Sequence, residues 1–272
     1  MSQVKIGIIG GTGLDRDAEI LQNQREITLD TTPFGDPSDQ VIVEGTIHGV
    51  PVYVMGRHGK KHDVSPSNVN YRANVWSLKT LGCTHLLVTN ACGSLKEEIP
   101  PGEVAILDQY IDRTCGRRQS SFYSVAHIPQ NYPYNRRVQA ILEEACLKVG
   151  IKPHTRCTII VMEGPRFSTL AESKLYRSWG AHCVGMTSVP EAQLAAEAGL
   201  IYNSLALVTD YDGWHDDDHE HVTVDLVAER MAVLGGKAKK ILAEAISIIK
   251  DQDWTKEIEE KQAEAKSAIM FP

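Results

Sequence analysis

Seven short apolar runs of β character alternate with helix-like segments along this chain, and that alternation constrains its fold more than any other feature. The runs cover 4–9, 51–55, 85–89, 104–107, 157–162, 182–186 and 200–208, and helical periodicity appears over 69–81, 137–149, 170–179 and 190–198. Near-continuous apolar strands suit a sheet covered on both faces. The pattern therefore implies an α/β fold with a mixed or parallel β-sheet flanked by helices. No internal repeat, low-complexity tract or Ser/Gly-rich linker interrupts the 272 residues, which predicts a single domain over 1–272 with a substantial core.

The final part reads as one long helix. Val224, Val227, Met231, Leu234, Ala238, Ile241, Ala245 and Ile248 follow in steps of three and four, the spacing of one apolar face. A coiled-coil seam would show the same spacing, but Leu242, Ile246 and Ile249 widen the apolar surface and favour packing against the sheet. Thr223 or Asp225 is suited to start the helix, since either side chain offers an oxygen to its free N–H groups.

Charge and cysteine usage exclude several function classes. A formal net charge of -7 supplies no attraction to polyanions, so neither nucleic acid nor an anionic membrane is expected as a partner, and small molecules fit better. The opening MSQVKIGIIGGTG has no signal-peptide pattern and no run is long enough to cross a bilayer; the expectation is a soluble cytoplasmic protein, with the nucleus as the alternative compartment. Six cysteines lie scattered, without CxxC pairs or nearby histidine spacing, which indicates neither a zinc site nor a disulfide framework. The acidic loop 214–221, with Asp216, Asp217, Asp218 and three histidines, could hold a metal, but a solvated loop is the better expectation.

Polar or small-residue turns follow several of the strand-like runs. Gly10-Gly11-Thr12-Gly13 after the first run could cradle phosphate on backbone N–H groups; it lacks the third glycine of a dinucleotide fingerprint, and a plain tight turn is an equal alternative. Gly56-Arg57-His58-Gly59, with His62 beyond it, offers a planar guanidinium fork and a neighbouring imidazole donor for an anion. Thr89-Asn90-Ala91-Cys92-Gly93-Ser94 is another small-residue turn, and Gly185-Met186-Thr187-Ser188 brings hydroxyls to a helix N-terminus. In Thr209-Asp210-Tyr211-Asp212 two carboxylates stand two residues apart, so strand alternation would turn both to one face, where they could protonate a leaving group and read an exocyclic amine; a solvated turn is the rival. Together these turns imply one crevice at the carboxyl edge of the sheet.

The segments IIGGTGL, GRHG, TNACGS, MEGPRFST, MTSVPE and TDYD occur in the order expected of the trimeric purine nucleoside phosphorylase family, which the chain resembles nearly end to end. The resemblance implies inorganic phosphate as co-substrate, with no other cofactor and no metal, held by Thr12, Arg57, His58, Asn90, Ala91 and Thr187. It implies Met186 beneath the ribose and Phe167 against the purine, with Ser168 and Val184 among the substrate-binding residues. Asp210 would serve N7 and Asp212 the 6-amino group as the catalytic acids. His62, Val224 and Val227 would line the 5' end, with His127 and Met270 reaching in from a neighbouring subunit of a homotrimer.

The activity so implied is phosphorolysis of S-methyl-5'-thioadenosine to adenine and 5-methylthioribose 1-phosphate. Ser168 and Asp210 stand where the 6-oxopurine branch of the family carries Glu and Asn, which favours adenine. Asn90 departs from the Thr found in several animal relatives of this type and motivates a broader alternative, extending to adenosine or 6-oxopurine nucleosides. A catalytically silent nucleoside binder is the third possibility, and the intact set of phosphate-clamp residues argues against it.

Overall fold

The computed structural model describes residues 4–10, 20–117, 120–215 and 222–271. In chain order the elements are β1 (Ile6–Gly10), β2 (Gln22–Thr28), β3 (Val41–Ile47), β4 (Val50–Gly56), α1 (Tyr71–Thr80), β5 (His85–Ser94), β6 (Val104–Arg113), β7 (Val125–Ala126), α2 (Arg136–Lys148), β8 (His154–Met162), α3 (Leu170–Ser178), β9 (Cys183–Gly185), α4 (Ser188–Glu197), β10 (Ile201–Asp210), α5 (Val224–Lys250), α6 (Thr255–Ala268) and β11 (Ile269–Phe271). Nine strands form one mixed sheet in the order β10-β6-β8-β9-β5-β1-β4-β3-β2. β5 also pairs with β10, so one side of the sheet closes on itself while β1 to β4 form an open wing.

Strand alternation sorts the core into two layers. In β10, Ile201, Leu205 and Leu207 pack with the buried faces of α2 and α5, whereas Tyr202, Ala206 and Val208 pack with those of α1 and α4. The long helix α5 lies against the sheet as its pattern predicts, burying Met231, Leu234, Ala238, Ile241, Leu242, Ala245, Ile246 and Ile249. Each of the large side chains among them contributes about 1.5–3 kcal/mol by leaving water. Thr223 caps this helix by accepting from the Leu226 N–H at 3.2 Å.

One expectation is corrected at a strand end. TNACGS is not a turn after a strand: β5 continues to Ser94, because both of its faces are covered along its length. Five of these elements are absent from the sequence reading: the exposed polar edge strand β2 and the charged helix α6, which have no apolar signature, the apolar strand β3, and the short strands β7 and β11. Among the described residues no helix is long and apolar enough to cross a membrane, and no cluster of metal-ligating side chains occurs.

Candidate active site

A cavity of about 380 Å³ opens where β4, β5 and β10 end beside β9 and the start of α4. Arg57, His58, His62, Ala91, Phe167, Ser168, Val184, Met186, Thr187, Asp210, Asp212 and Val227 all line it. The chemistry divides along β5. Arg57 and Thr187 are tied to the level of Thr89 and Asn90, while the two acids press against Gly93. At about 3.3 Å per residue these levels lie roughly 10 Å apart, so the strand itself spaces the two ends of a ligand.

Arg57 is 1% exposed and does not hold its fork open. Nε and Nη2 donate to the two carboxylate oxygens of Glu191 at 2.8 and 3.0 Å, and Nη1 donates to the Thr89 carbonyl at 2.9 Å. Burial by itself would lower the guanidinium pKa, but the adjacent Glu191 carboxylate reverses the direction and keeps the group charged. The predicted planar fork is therefore spent on Glu191, and Arg57 offers the cavity only the N–H bonds that remain. Glu191 was absent from the sequence reading; the signal for it was an acid in the first turn of a helix otherwise built to be buried.

His58 is corrected in the same sense. Its Nδ1 faces the Val64 carbonyl at 2.8 Å, and a carbonyl only accepts, so Nδ1 carries the hydrogen. Nε2 then offers a lone pair in the neutral ring and can donate to an anion only from the imidazolium. The His62 ring lies beside it, tilted by 45° with ring centroids 4.6 Å apart.

Asn90 does not line the cavity. Its side chain is buried and donates from Nδ2 to Thr187 Oγ1 at 2.7 Å, while Oδ1 accepts from the hydroxyls of Ser204 and Ser188. The Thr187 oxygen thus accepts from Asn90, which leaves its own O–H available as a donor. Asn90 is replaced as a direct contact by a role behind Thr187.

The acidic pair is not built by strand alternation. Asp210 is the last residue of β10, beyond a register shift after Val208, and Asp212 opens a 3-10 turn at φ 52°, a left-handed conformation that Asp tolerates better than most residues. The Asp212 N–H donates to Asp210 Oδ1 at 2.8 Å, and Thr209 Oγ1 lies 2.7 Å from Asp210 Oδ2. Ser168 Oγ donates to Asp212 Oδ1. Burial raises the pKa of both carboxyls. For Asp210 the Thr209 hydroxyl and the Asp212 N–H oppose that rise; for Asp212 the Ser168 and Ser173 hydroxyls do.

The remaining predicted residues fall elsewhere. Val224 is 73% exposed at the first position of α5, one helical turn from Val227, and does not reach the cavity. His127 lines a separate cleft with Ser121, Gln130 and Glu197, and its N–H donates to the Ala268 carbonyl at 2.9 Å. Met270 is exposed on β11, which pairs with β7 next to His127. Neither residue enters this chain's own cavity. Thr12 and the acidic loop from 216 to 221 lie outside the described residues.

Residues 5–247 match the Phosphorylase superfamily. The S-methyl-5'-thioadenosine phosphorylase of Danio rerio is 47% identical over 279 residues, covering 100% of this chain and 98% of that protein. The corresponding Xenopus tropicalis enzyme is 46% identical over 278 residues, covering 99% of this chain and 97% of its own. A solved structure of methylthioadenosine phosphorylase from Schistosoma mansoni in complex with adenine has a TM-score of 0.93 at 42% identity, covering 98% of this chain and 99% of that one. A variant of the adenosine/methylthioadenosine phosphorylase of that organism, in complex with methylthioadenosine, has a TM-score of 0.90 at 41% identity, covering 98% and 99%. With its mixed sheet, its carboxyl-edge cavity and matches running along nearly its whole length, this chain belongs to the Phosphorylase superfamily.

Proposed function

We propose that the chain catalyses phosphorolysis of S-methyl-5'-thioadenosine, releasing adenine and 5-methylthioribose 1-phosphate. The observation that carries this reading is a buried carboxyl pair, Asp210 and Asp212, sharing one cavity with the Thr187 hydroxyl and the edge of a buried guanidinium. Phosphate near Arg57, Ala91 and Thr187 attacks C1' as the bond to the purine breaks, and its charge stabilises the oxocarbenium-like sugar. Asp210, its pKa raised by burial, supplies the proton that lets the purine leave neutral. Phe167 and Val184 flank the base, Met186 the sugar, and His62 and Val227 the 5' substituent.

Preference for a 6-aminopurine follows from the Ser168–Asp212 bond. Ser168 commits its one proton to the Asp212 carboxylate, so both side chains present acceptors to the base. An amino group satisfies such a wall, whereas a 6-oxo group leaves acceptors facing each other at about 1–3 kcal/mol. Adenosine is a second substrate supported by one observation: Val224 points to solvent, leaving Val227 as the wall that α5 gives the cavity, so the apolar bias at the 5' end is modest.

The working assembly in this reading is a cytoplasmic homotrimer serving purine and methionine salvage. Support for the shared site is that His127, directly after β7, and Met270, on the adjoining strand β11, lie outside their own chain's cavity and are available to a neighbour. Adenine release from methylthioadenosine, with and without phosphate and beside adenosine and inosine, tests the function. Equal release without phosphate would make the enzyme a hydrolase, and inosine outpacing both adenine nucleosides would refute the base assignment. Mass in solution tests the trimer, and a fully active monomer would contradict it.

A further inference from the structure

Thr209 is 1% exposed and lies beside the cavity, one residue before Asp210. Its hydroxyl stands between two acceptors, the Asp210 Oδ2 at 2.7 Å and the Cys92 carbonyl at 3.2 Å. A hydroxyl has one proton and a backbone carbonyl can only accept, so Thr209 cannot satisfy both at once. When Asp210 is ionised, the Thr209 O–H turns to the carboxylate. When Asp210 is protonated, the Thr209 O–H turns to Cys92 and its oxygen accepts from the carboxyl. Both arrangements keep every heavy atom in place.

We infer that Thr209 is a positioning residue whose hydroxyl swivels between Cys92 and Asp210, keeping the Asp210 carboxyl hydrogen-bonded and fixed in orientation both before and after it gives up its proton. The inference rests on the phosphorolytic reading of the cavity. As the bond from C1' to the purine breaks, its electron pair stays with the purine, the carboxyl proton turns from Thr209 to N7, and the carboxylate left behind receives the Thr209 O–H. Thr209 itself transfers no proton. The other groups facing Asp210 are Asp212 from the following turn, Arg230 from α5 and Cys92 from β5. All three stay the same when only Thr209 is changed.

The test compares Thr209→Val, which keeps the shape and loses the hydroxyl, with Thr209→Ser, which retains it. The readouts are melting temperature and the pH dependence of kcat for adenine release at saturating phosphate. The donor stabilises the ionised carboxyl more than the neutral one, so the limb of the profile that reports Asp210 should move to higher pH by about half to one unit in the Val protein. kcat should fall about tenfold, a loss of about 1.4 kcal/mol, and the Ser protein should keep the wild-type profile. Adding Thr209→Val to Asp210→Asn should cost nothing further in kcat.

An unchanged profile in the Val protein, a Ser protein as impaired as the Val protein, or a full additional loss in the double variant would overturn the inference. If Thr209→Val does not fold, Thr209→Ala takes its place in every comparison, and failure of both to fold would assign the residue to stability instead. Absence of phosphate-dependent release by the wild-type protein would count against the proposed function, and is read before any variant is made.

Discussion

Arg57 and Glu191, distant in sequence, form a two-point ion pair at 2.8 and 3.0 Å with each side chain 1% exposed. Tyr202 adds a hydrogen bond to Glu191 Oε1 at 2.9 Å. The pair pins the end of β4 to the first turn of α4, the two segments that bring Arg57 and Thr187 to the cavity. An ion pair of this kind is costly to break from one side, because the surviving charge stays buried.

Glu191→Ala should therefore lower stability by about 3–5 kcal/mol in chemical denaturation. Glu191→Gln, which keeps the shape, should lose less stability and raise the KM for phosphate more than the KM for the nucleoside. Equal effects on both constants would show that the pair shapes the whole cavity rather than its anion side.

Gly93 is where β5 makes room for the acids. A Cβ there would sit 2.7 Å from Asp210 Oδ1 and 3.0 Å from Asp212 Cβ. Gly93→Ala should displace both carboxyls and reduce kcat by about 10- to 100-fold, the scale of a misplacement near 1 Å. Steady-state rates of adenine release measured beside melting curves would show whether the loss in rate exceeds any loss of fold.

Removing Asn90's amide should act through its neighbours. Asn90→Ala frees Thr187 Oγ1 from its donor and leaves the Ser204 and Ser188 hydroxyls without their acceptor, at a stability cost of about 1–3 kcal/mol. The expected kinetic signature is a phosphate KM raised about fivefold to tenfold with the nucleoside KM unchanged, read from initial rates with each substrate varied in turn.

The raised pKa of Asp210 fixes the direction of a pH effect on stability. Between the ordinary carboxylate value and the raised folded value, the folded protein binds more protons than the unfolded chain. The contribution of Asp210 is thus fully present below about 3.9, the unfolded value, and is lost as pH rises through the folded value. Asp210→Asn removes the buried charge, so it should melt above the wild type at pH 7.5 while losing activity, and the difference should shrink as pH falls towards 4. Glu163 and Glu172, whose pKa values are lowered in the fold, change in the opposite direction but equally in both proteins. A constant difference in melting temperature across that range would mean Asp210 carries no such shift.

Much of this molecule is legible in one dimension. Apolar runs located most of the sheet, the spacing of three and four located α5 and its buried face, and the motif order located most of the cavity lining, because these depend on local periodicity and on side-chain chemistry. What only the tertiary structure decided is which polar groups spend their hydrogen bonds on one another. Arg57 faces Glu191, His58 gives its Nδ1 hydrogen to Val64, Asn90 stands behind Thr187, and Asp212 meets Asp210 through a backbone N–H rather than along a strand. The physical reason is that a buried donor or acceptor must find a partner wherever the fold brings one, and that partner can lie anywhere along the chain.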